Sequence, residues 1–493
     1  MRTAGVLLPI SSLPSRYGIG SFSKEAYEFV DFLKAAGQTF WQILPLGPTG
    51  YGDSPYQSFS TFAGNPYYID PEALIEEGLL TGKQCESYDW GGSEVYVDYE
   101  KIYASRFALL KEAFANSKLT EDPAFLSFEK ENAFWLEDYA LYMAIKDDHK
   151  GASWDVWEKE LRLREPEALA LYRKKLAEEI LFYKFQQFLF AGQWQKLKQY
   201  ANEKGIQIIG DIPIYVAFDS ADAWAHPELF QFDENCMPTG VAGCPPDAFS
   251  ATGQLWGNPL YRWEYHRETG YEWWMQRIGY CYQLYDVVRI DHFRGFDEYY
   301  NIPFGDPTAE HGRWEKGPGY ELFRTMKMKI GNKPVIAEDL GFLTPSVIKM
   351  VKKTGYPGMK ILQFAFDSDE SNVYLPHNYE KNTVVYTGTH DNDTTRSWYR
   401  SLKPKARRFA KQYLNIRGNK EVEWAFIRAA ISSVSDMAII PMQDYLGLGN
   451  EGRINMPSTL GNNWKWRMKK EDLTEALAER ILALCRLYDR TVK

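Results

Sequence analysis

Positive charge is what this chain has too little of. Its 57 lysines and arginines are outnumbered by 66 acids, which leaves a net charge of −9. Broad nucleic-acid binding needs a basic footprint, so that class is excluded. Cysteine is scarce as well. The five thiols, Cys85, Cys236, Cys244, Cys281 and Cys485, are odd in number and form no CxxC pair. A disulfide framework and a zinc knuckle are therefore not expected, and a reducing cytoplasm suits the chain. No apolar run is long enough to span a bilayer. The stretch 4–8 before Pro9 is too short for the apolar core of a signal peptide. Neither a P-loop nor a dinucleotide fingerprint follows a strand, so no cofactor is expected, and without a spanning run no membrane partner is expected either.

What is present is a repeated pattern. Eight short apolar segments occur in order: 4–8, 40–44, 206–214, 287–291, 334–338, 359–364, 383–389 and 437–442. Near-continuous Val/Ile/Leu runs mark strands buried on both faces, as in parallel sheets. Helical patterns lie between most of them, including 23–36 behind a serine cap and 344–353 opened by Thr344-Pro345. Eight strands alternating with helices predict an α/β fold, a (β/α)8 barrel spanning residues 1–493. The spacing is uneven. About 160 residues separate the second and third strands, far beyond a crossover's need. Helical patterns at 99–116, 125–150, 165–192 and 193–204 predict a helical insertion, taken as 75–195, with solvated charged faces. A second insert, 226–263, is rich in Gly, Pro and aromatics and should lie over the barrel mouth. Aromatics make up 16% of the chain. Most such rings are core, and a groove of flat rings would also suit sugar faces.

Barrel active sites form at the C-terminal ends of the strands. Four acids occupy such positions: Asp211, Asp291, Glu338 and Asp391. One acid at a strand end is ordinarily a cap or turn residue. Four at matching ends, without metal-ligand spacing, suggest one site. Alternation along Val287–Asp291 puts Arg289 and Asp291 on one face. The arginine should lower the pKa of Asp291 and keep it an ionised nucleophile. Glu338 follows an apolar strand beside Asp339, so burial and negative neighbours should raise its pKa and suit it to acid/base work. A retaining glycosidase needs such a pair about 5–5.5 Å apart. Asp391 would bind sugar hydroxyls and stabilise the oxocarbenium-like transition state, and His390 is a partner for a hydroxyl. Asp339 reads as a capping residue. The residues alone leave a glucan hydrolase, a branching-type enzyme and a non-catalytic glucan-binding barrel open.

The segments Gly210-Asp211-Ile212-Pro213, Arg289-Ile290-Asp291-His292, Ala337-Glu338-Asp339 and Thr389-His390-Asp391-Asn392-Asp393 resemble the four signature regions of the α-amylase clan. The first lacks the Asn-His pair of ordinary α-amylases. Its form, Asp211-Ile212-Pro213-Ile214-Tyr215-Val216, resembles glycoside hydrolase family 77, the 4-α-glucanotransferases. Ser54-Pro55-Tyr56-Gln57-Ser58, Gly253-Gln254-Leu255-Trp256-Gly257-Asn258, Gln363-Phe364-Ala365-Phe366-Asp367 and Gly461-Asn462-Asn463-Trp464 fit the same family. Cys244 and Ser397 depart from its pattern, and neither is one of the acids.

This resemblance implies transfer of α-1,4-glucan segments between maltooligosaccharides or starch- and glycogen-derived glucans. It implies Tyr56 under the sugar at the cleavage point, with Asp211, Arg289 and His390 around that sugar. Ser54, Trp256, Asp367 and Asn463 would line the acceptor side. Asp247 and Phe249 would belong to a mouth loop. Calcium is not implied, because the clan's usual asparagine near Asp211 is missing. Monomer and homodimer are both compatible with the sequence.

Overall fold

The eight apolar segments form eight parallel strands, and their two-residue period explains how each is buried on both faces. The computed structural model describes residues 2–50, 52–246, 250–341, 343–418 and 420–491. The barrel strands are Thr3–Leu7, Phe40–Gln42, Gln207–Pro213, Val287–Asp291, Val335–Ala337, Gly358–Ile361, Thr383–Tyr386 and Met437–Pro441. Each pairs with its neighbours in chain order, and the first pairs in parallel with the eighth, closing the barrel. One parity points inward. Leu7, Phe40, Ile209, Val287, Ile336, Met359, Ile361, Val384, Tyr386 and Ile439 form a separate core cluster inside the barrel. The other parity, including Val6, Trp41, Ile208, Val288, Ile290 and Val385, packs outward in the main core with the helices. Asp211, Arg289 and Asp291 share the inward parity, so the pleat itself aims them at one axis.

Several strands end earlier than their apolar runs. Val335–Ala337 stops one residue before Glu338, and Gly358–Ile361 passes into a 3-10 turn, Leu362–Phe364. Apolar character continues because Leu362, the first turn residue, is itself buried in the main core, which periodicity cannot distinguish from a strand. Gly210 faces outward, where a Cβ would lie 2.1 Å from Cγ of the buried Tyr285 ring. Gly210→Ala is expected to cost about 1–3 kcal/mol through overpacking, read as a lower urea midpoint at unchanged slope.

Between the second and third barrel strands lie Tyr99–Asn116, Ala133–Asp148 and the 27-residue helix Ala177–Glu203, with shorter helices between them. The break expected at Gly192 is absent. Its helix-propensity cost of about 1 kcal/mol is outweighed by packing of Phe190 and Trp194, which are buried on either side. The helix faces are also less uniformly solvated than expected. Lys184 is buried and pairs with Glu129 and Glu137, and Lys146 is buried with Asp219 of the segment after the third barrel strand.

The 226–263 insert is more ordered than its composition suggests. Gly240–Cys244 and Gln254–Pro259 pair antiparallel. They join Glu298–Pro303 and Arg313–Lys316 in a four-stranded sheet. Sequence pattern does not reveal this sheet, because its strands are short and two of them, Gly240–Cys244 and Gln254–Pro259, are interrupted by glycine. No helix among the described residues is long and apolar enough to cross a membrane.

Candidate active site

Arg289 is the hub of the site. From the fourth barrel strand its Nη1 donates to both oxygens of Asp211, at 2.8 and 2.6 Å. Its Nη2 lies 3.0 Å from Oδ1 of Asp291. Asp211 is directly opposite Arg289 in the strand register, and its Oδ2 also accepts the Tyr56 hydroxyl at 2.8 Å. The guanidinium is thus shared between two carboxylates. That sharing corrects the expectation for Asp291. Its pKa is raised, to about 6, first by burial, against the pull of Arg289 and with further push from Asp211 and Asp391. Arg289 still orients the carboxylate, but does not hold it below the ordinary range.

Glu338 continues the inward parity of Ile336 one residue past its strand. Its Oε2 accepts the backbone N–H of His292 at 2.7 Å, and its Oε1 that of Leu340 at 3.0 Å. The first bond depends on His292 adopting a left-handed conformation, φ 50°, so the residue after Asp291 turns its N–H back toward the acid. Burial and then the neighbouring Asp291 push Glu338 up to about 8. The two acids thus differ in proton affinity: near neutral pH Asp291 is ionised while Glu338 keeps its proton.

Asp391 and His390 come from the loop after the seventh barrel strand. Asp391 Oδ1 accepts from Asn455 Nδ2 at 2.6 Å and lies 3.4 Å from His390 Nε2. The His390 ring stacks on Tyr56, with centroids 5.1 Å apart and planes at 18°. Trp464 lies against both rings, at 5.9 and 6.0 Å.

These groups open into one cleft of about 1200 Å³ at the barrel mouth. Of the residues expected in the site, Ser54, Tyr56, Trp256, Arg289, Asp291, Glu338, Asp367, His390 and Asp391 line it. Asp211 does not. Its side chain is fully buried beneath Tyr56 and taken up by Arg289. Asn463 turns into its own loop, accepting from Met456 N–H at 3.0 Å and donating to the Thr459 carbonyl at 2.9 Å. Asp247 and Phe249 lie outside the described residues.

The cleft also gathers residues to which sequence reasoning gave no role: Tyr215, His292, Phe364, Tyr374, Asn455 and Trp464. Tyr215, His292, Phe364 and Trp464 stood in the motifs quoted above, so membership of a motif was the available signal, and Tyr374 and Asn455 had none. His292 is edge-on to Trp256 at 4.8 Å, and its Nε2 is buried with no hydrogen-bond partner among the described residues. Burial pushes its pKa down to about 3, so the ring is neutral. Among the described residues no group of three or more His, Cys, Asp or Glu side chains is arranged to hold a metal ion.

A closed parallel barrel with carboxylates converging at its C-terminal mouth, over an aromatic-lined cleft, defines a barrel enzyme of glycosidic-bond chemistry. A family model described as 4-alpha-glucanotransferase, that of glycoside hydrolase family 77, matches residues 8–474. The chain belongs to this family and is a 4-α-glucanotransferase, transferring α-1,4-glucan segments. It is 50% identical over 483 residues to the 4-alpha-glucanotransferase of Clostridium butyricum, covering 98% of this chain and 99% of that protein. It is 48% identical over 500 residues to that of Thermus thermophilus, covering 99% of each. A solved structure of amylomaltase from Streptococcus agalactiae in complex with acarbose superposes with a TM-score of 0.97 at 43% identity, covering both chains entirely.

Proposed function

We propose that Asp291 is the nucleophile, Glu338 the general acid and base, and Asp391 the stabiliser of the transition state. The observation that carries this reading is the split in proton affinity between Asp291 and Glu338. Two neighbouring acids pushed apart by their surroundings take the two opposite roles. In the first step Asp291 attacks the anomeric carbon while the Glu338 proton passes to the glycosidic oxygen. That bond breaks, and the reducing-end portion departs with a free 4-hydroxyl. In the second step an acceptor's 4-hydroxyl attacks the covalent β-glucosyl intermediate, Glu338 takes its proton, and the Asp291 carboxylate is released. Two inversions give retention. Bonds broken and made are equivalent, so no external energy source is required.

Tyr56 and His390 offer stacked faces to the sugar at the cleavage point. Arg289 and Asp211 fix Asp291 and Tyr56 from below. Ser54, Trp256 and Asp367 serve the acceptor side, with Asn463 in an adjoining loop, and the family resemblance alone assigns Asp247 and Phe249 to substrate binding. Rings around the acids favour a sugar over water as acceptor. The donors and acceptors are maltooligosaccharides and starch- or glycogen-derived glucans. We read 75–195 as a helical subdomain and 226–263 as a mouth subdomain. The scarcity of cysteine, five in 493 residues, suits a reducing cytoplasm.

The pH profile follows from the pair. Asp291 must be ionised, so kcat/KM falls as pH drops through about 6. Glu338 must carry its proton, so kcat/KM falls as pH rises through about 8. Initial rates from pH 4 to 10 should describe a bell with limbs near those values, and a flat alkaline limb would contradict the role of Glu338. The reaction itself is tested with maltotriose. Chromatography should resolve glucose together with a ladder of longer maltooligosaccharides, whereas shorter products without elongation would show hydrolysis.

A further inference from the structure

Asp444 is a buried acid that the chemistry above does not use. It lies in the short helix Met442–Tyr445, directly after the eighth barrel strand, and is 2% exposed. Among the described residues no cation pairs with it. Its Oδ2 accepts the hydroxyls of Thr387 and Thr395, each at 2.6 Å, and its Oδ1 accepts the backbone N–H of Thr395 at 2.8 Å. Burying a carboxylate without a counter-ion is expensive, and three charge-assisted hydrogen bonds are what offset it here.

The donors are informative by position. Thr387 is the first residue after the seventh barrel strand, and Thr395 is the first residue of the helix Thr395–Ser401. Between them runs the seven-residue loop 388–394, which carries His390 and Asp391. One carboxylate thus ties the two ends of that loop together. Other bonds close it from the sides. Gln363 Nε2 donates to the Asp393 carbonyl at 2.8 Å, and Asn392 Oδ1 accepts from Thr389 N–H at 2.8 Å. Behind the clamp, Arg396 pairs with the buried Glu423 at 2.8 Å and fixes the helix that follows. Gln363 also reaches both ends, its backbone N–H donating to the Thr387 carbonyl at 3.2 Å and its Nε2 lying 3.5 Å from Thr395 Oγ1, but it does so as a neutral amide, whereas Asp444 takes shorter bonds with a carboxylate.

We propose that Asp444 is a positioning residue for the transfer reaction, holding His390 and Asp391 in register with Asp291 by clamping both ends of their loop. It touches no substrate. The inference rests on the role assigned to Asp391 above. A misplacement of about 1 Å at a reacting geometry is enough for a loss of roughly 10²-fold.

The test compares kcat and KM for maltotriose in Asp444→Ala, Asp444→Asn and Thr395→Val, each made also in an Asp391→Asn background. Asp444→Ala is expected to lower kcat by about 10²-fold with KM changed much less. Asp444→Asn should recover part of that loss, because it keeps an acceptor for Thr395 N–H. In the Asp391→Asn background the same alanine change should cost at least about fivefold less than in wild type, since one of the two groups it positions is already gone. A kcat for Asp444→Ala within threefold of wild type, or equal losses in the two backgrounds, would overturn the proposal. If Asp444→Ala does not fold, Thr395→Val carries the same comparison with one hydroxyl donor removed. A full kcat for Asp391→Asn alone would remove the underlying reading and this inference with it. A deep loss there, with uncoupled losses at Asp444, overturns this inference only.

Discussion

Asp291→Asn is expected to lower kcat for maltotriose disproportionation by at least about 10³-fold, with no loss of stability at neutral pH. The catalytic half follows from chemistry: an amide cannot carry the glucosyl group as an ester that later departs as a carboxylate. The stability half follows from the electrostatics. The pKa of Asp291 is raised by folding, to about 6. A carboxyl group so raised favours the fold in its protonated form, and that contribution is lost as pH rises through the folded value. At pH 7 the ionised side chain therefore opposes the fold. The amide removes that opposition and leaves Arg289 its two bonds to Asp211. Kinetics and a urea or thermal midpoint on the same preparation check both halves. Substantial residual turnover would refute the nucleophile. A clearly lower midpoint would refute the electrostatic account of its setting.

Glu338→Gln is expected to lower kcat for maltotriose by about 10²–10⁴-fold and to separate the two half-reactions. Fluoride leaves without a proton, so a maltosyl fluoride should glycosylate this variant at a rate near that of wild type. The second half lacks its base and should be slow. The two oxygens of Glu338 each accept a backbone N–H, from His292 and Leu340. An amide turns one oxygen into a donor, so one of these bonds is lost, at a stability cost of about 1–3 kcal/mol. If the fluoride donor is turned over no faster than maltotriose, Glu338 has another role.

Much of this site is written in local pattern. The barrel follows from eight apolar runs, and the shared face of Arg289 and Asp291 from simple alternation in Val287–Asp291. What alternation cannot give is the company that a side chain keeps across the barrel. Asp211 lies 78 residues before Arg289 in the chain, yet it takes two of the guanidinium's hydrogen bonds. The proton affinity of Asp291 depends on that distant claim, which is why its direction was misjudged from neighbours alone. The four-stranded sheet over the mouth escaped for a related reason, since its strands come from segments on either side of the fourth barrel strand. The left-handed turn at His292 that serves Glu338 carries only a weak residue-type signal, because histidine is enriched there but far less diagnostic than glycine. The motif still marked the position, but its backbone role appears only with the fold.

The two half-reactions meet in a single trapping measurement. Glu338→Gln incubated with a maltosyl fluoride should accumulate a covalent enzyme, because its formation needs no acid and its breakdown needs the missing base. Intact mass followed by peptide mapping should find one maltosyl group, on the peptide containing Asp291, with one fluoride released per enzyme before the rate falls. Fluoride release without any adduct, or an adduct on a peptide lacking Asp291, would contradict the account.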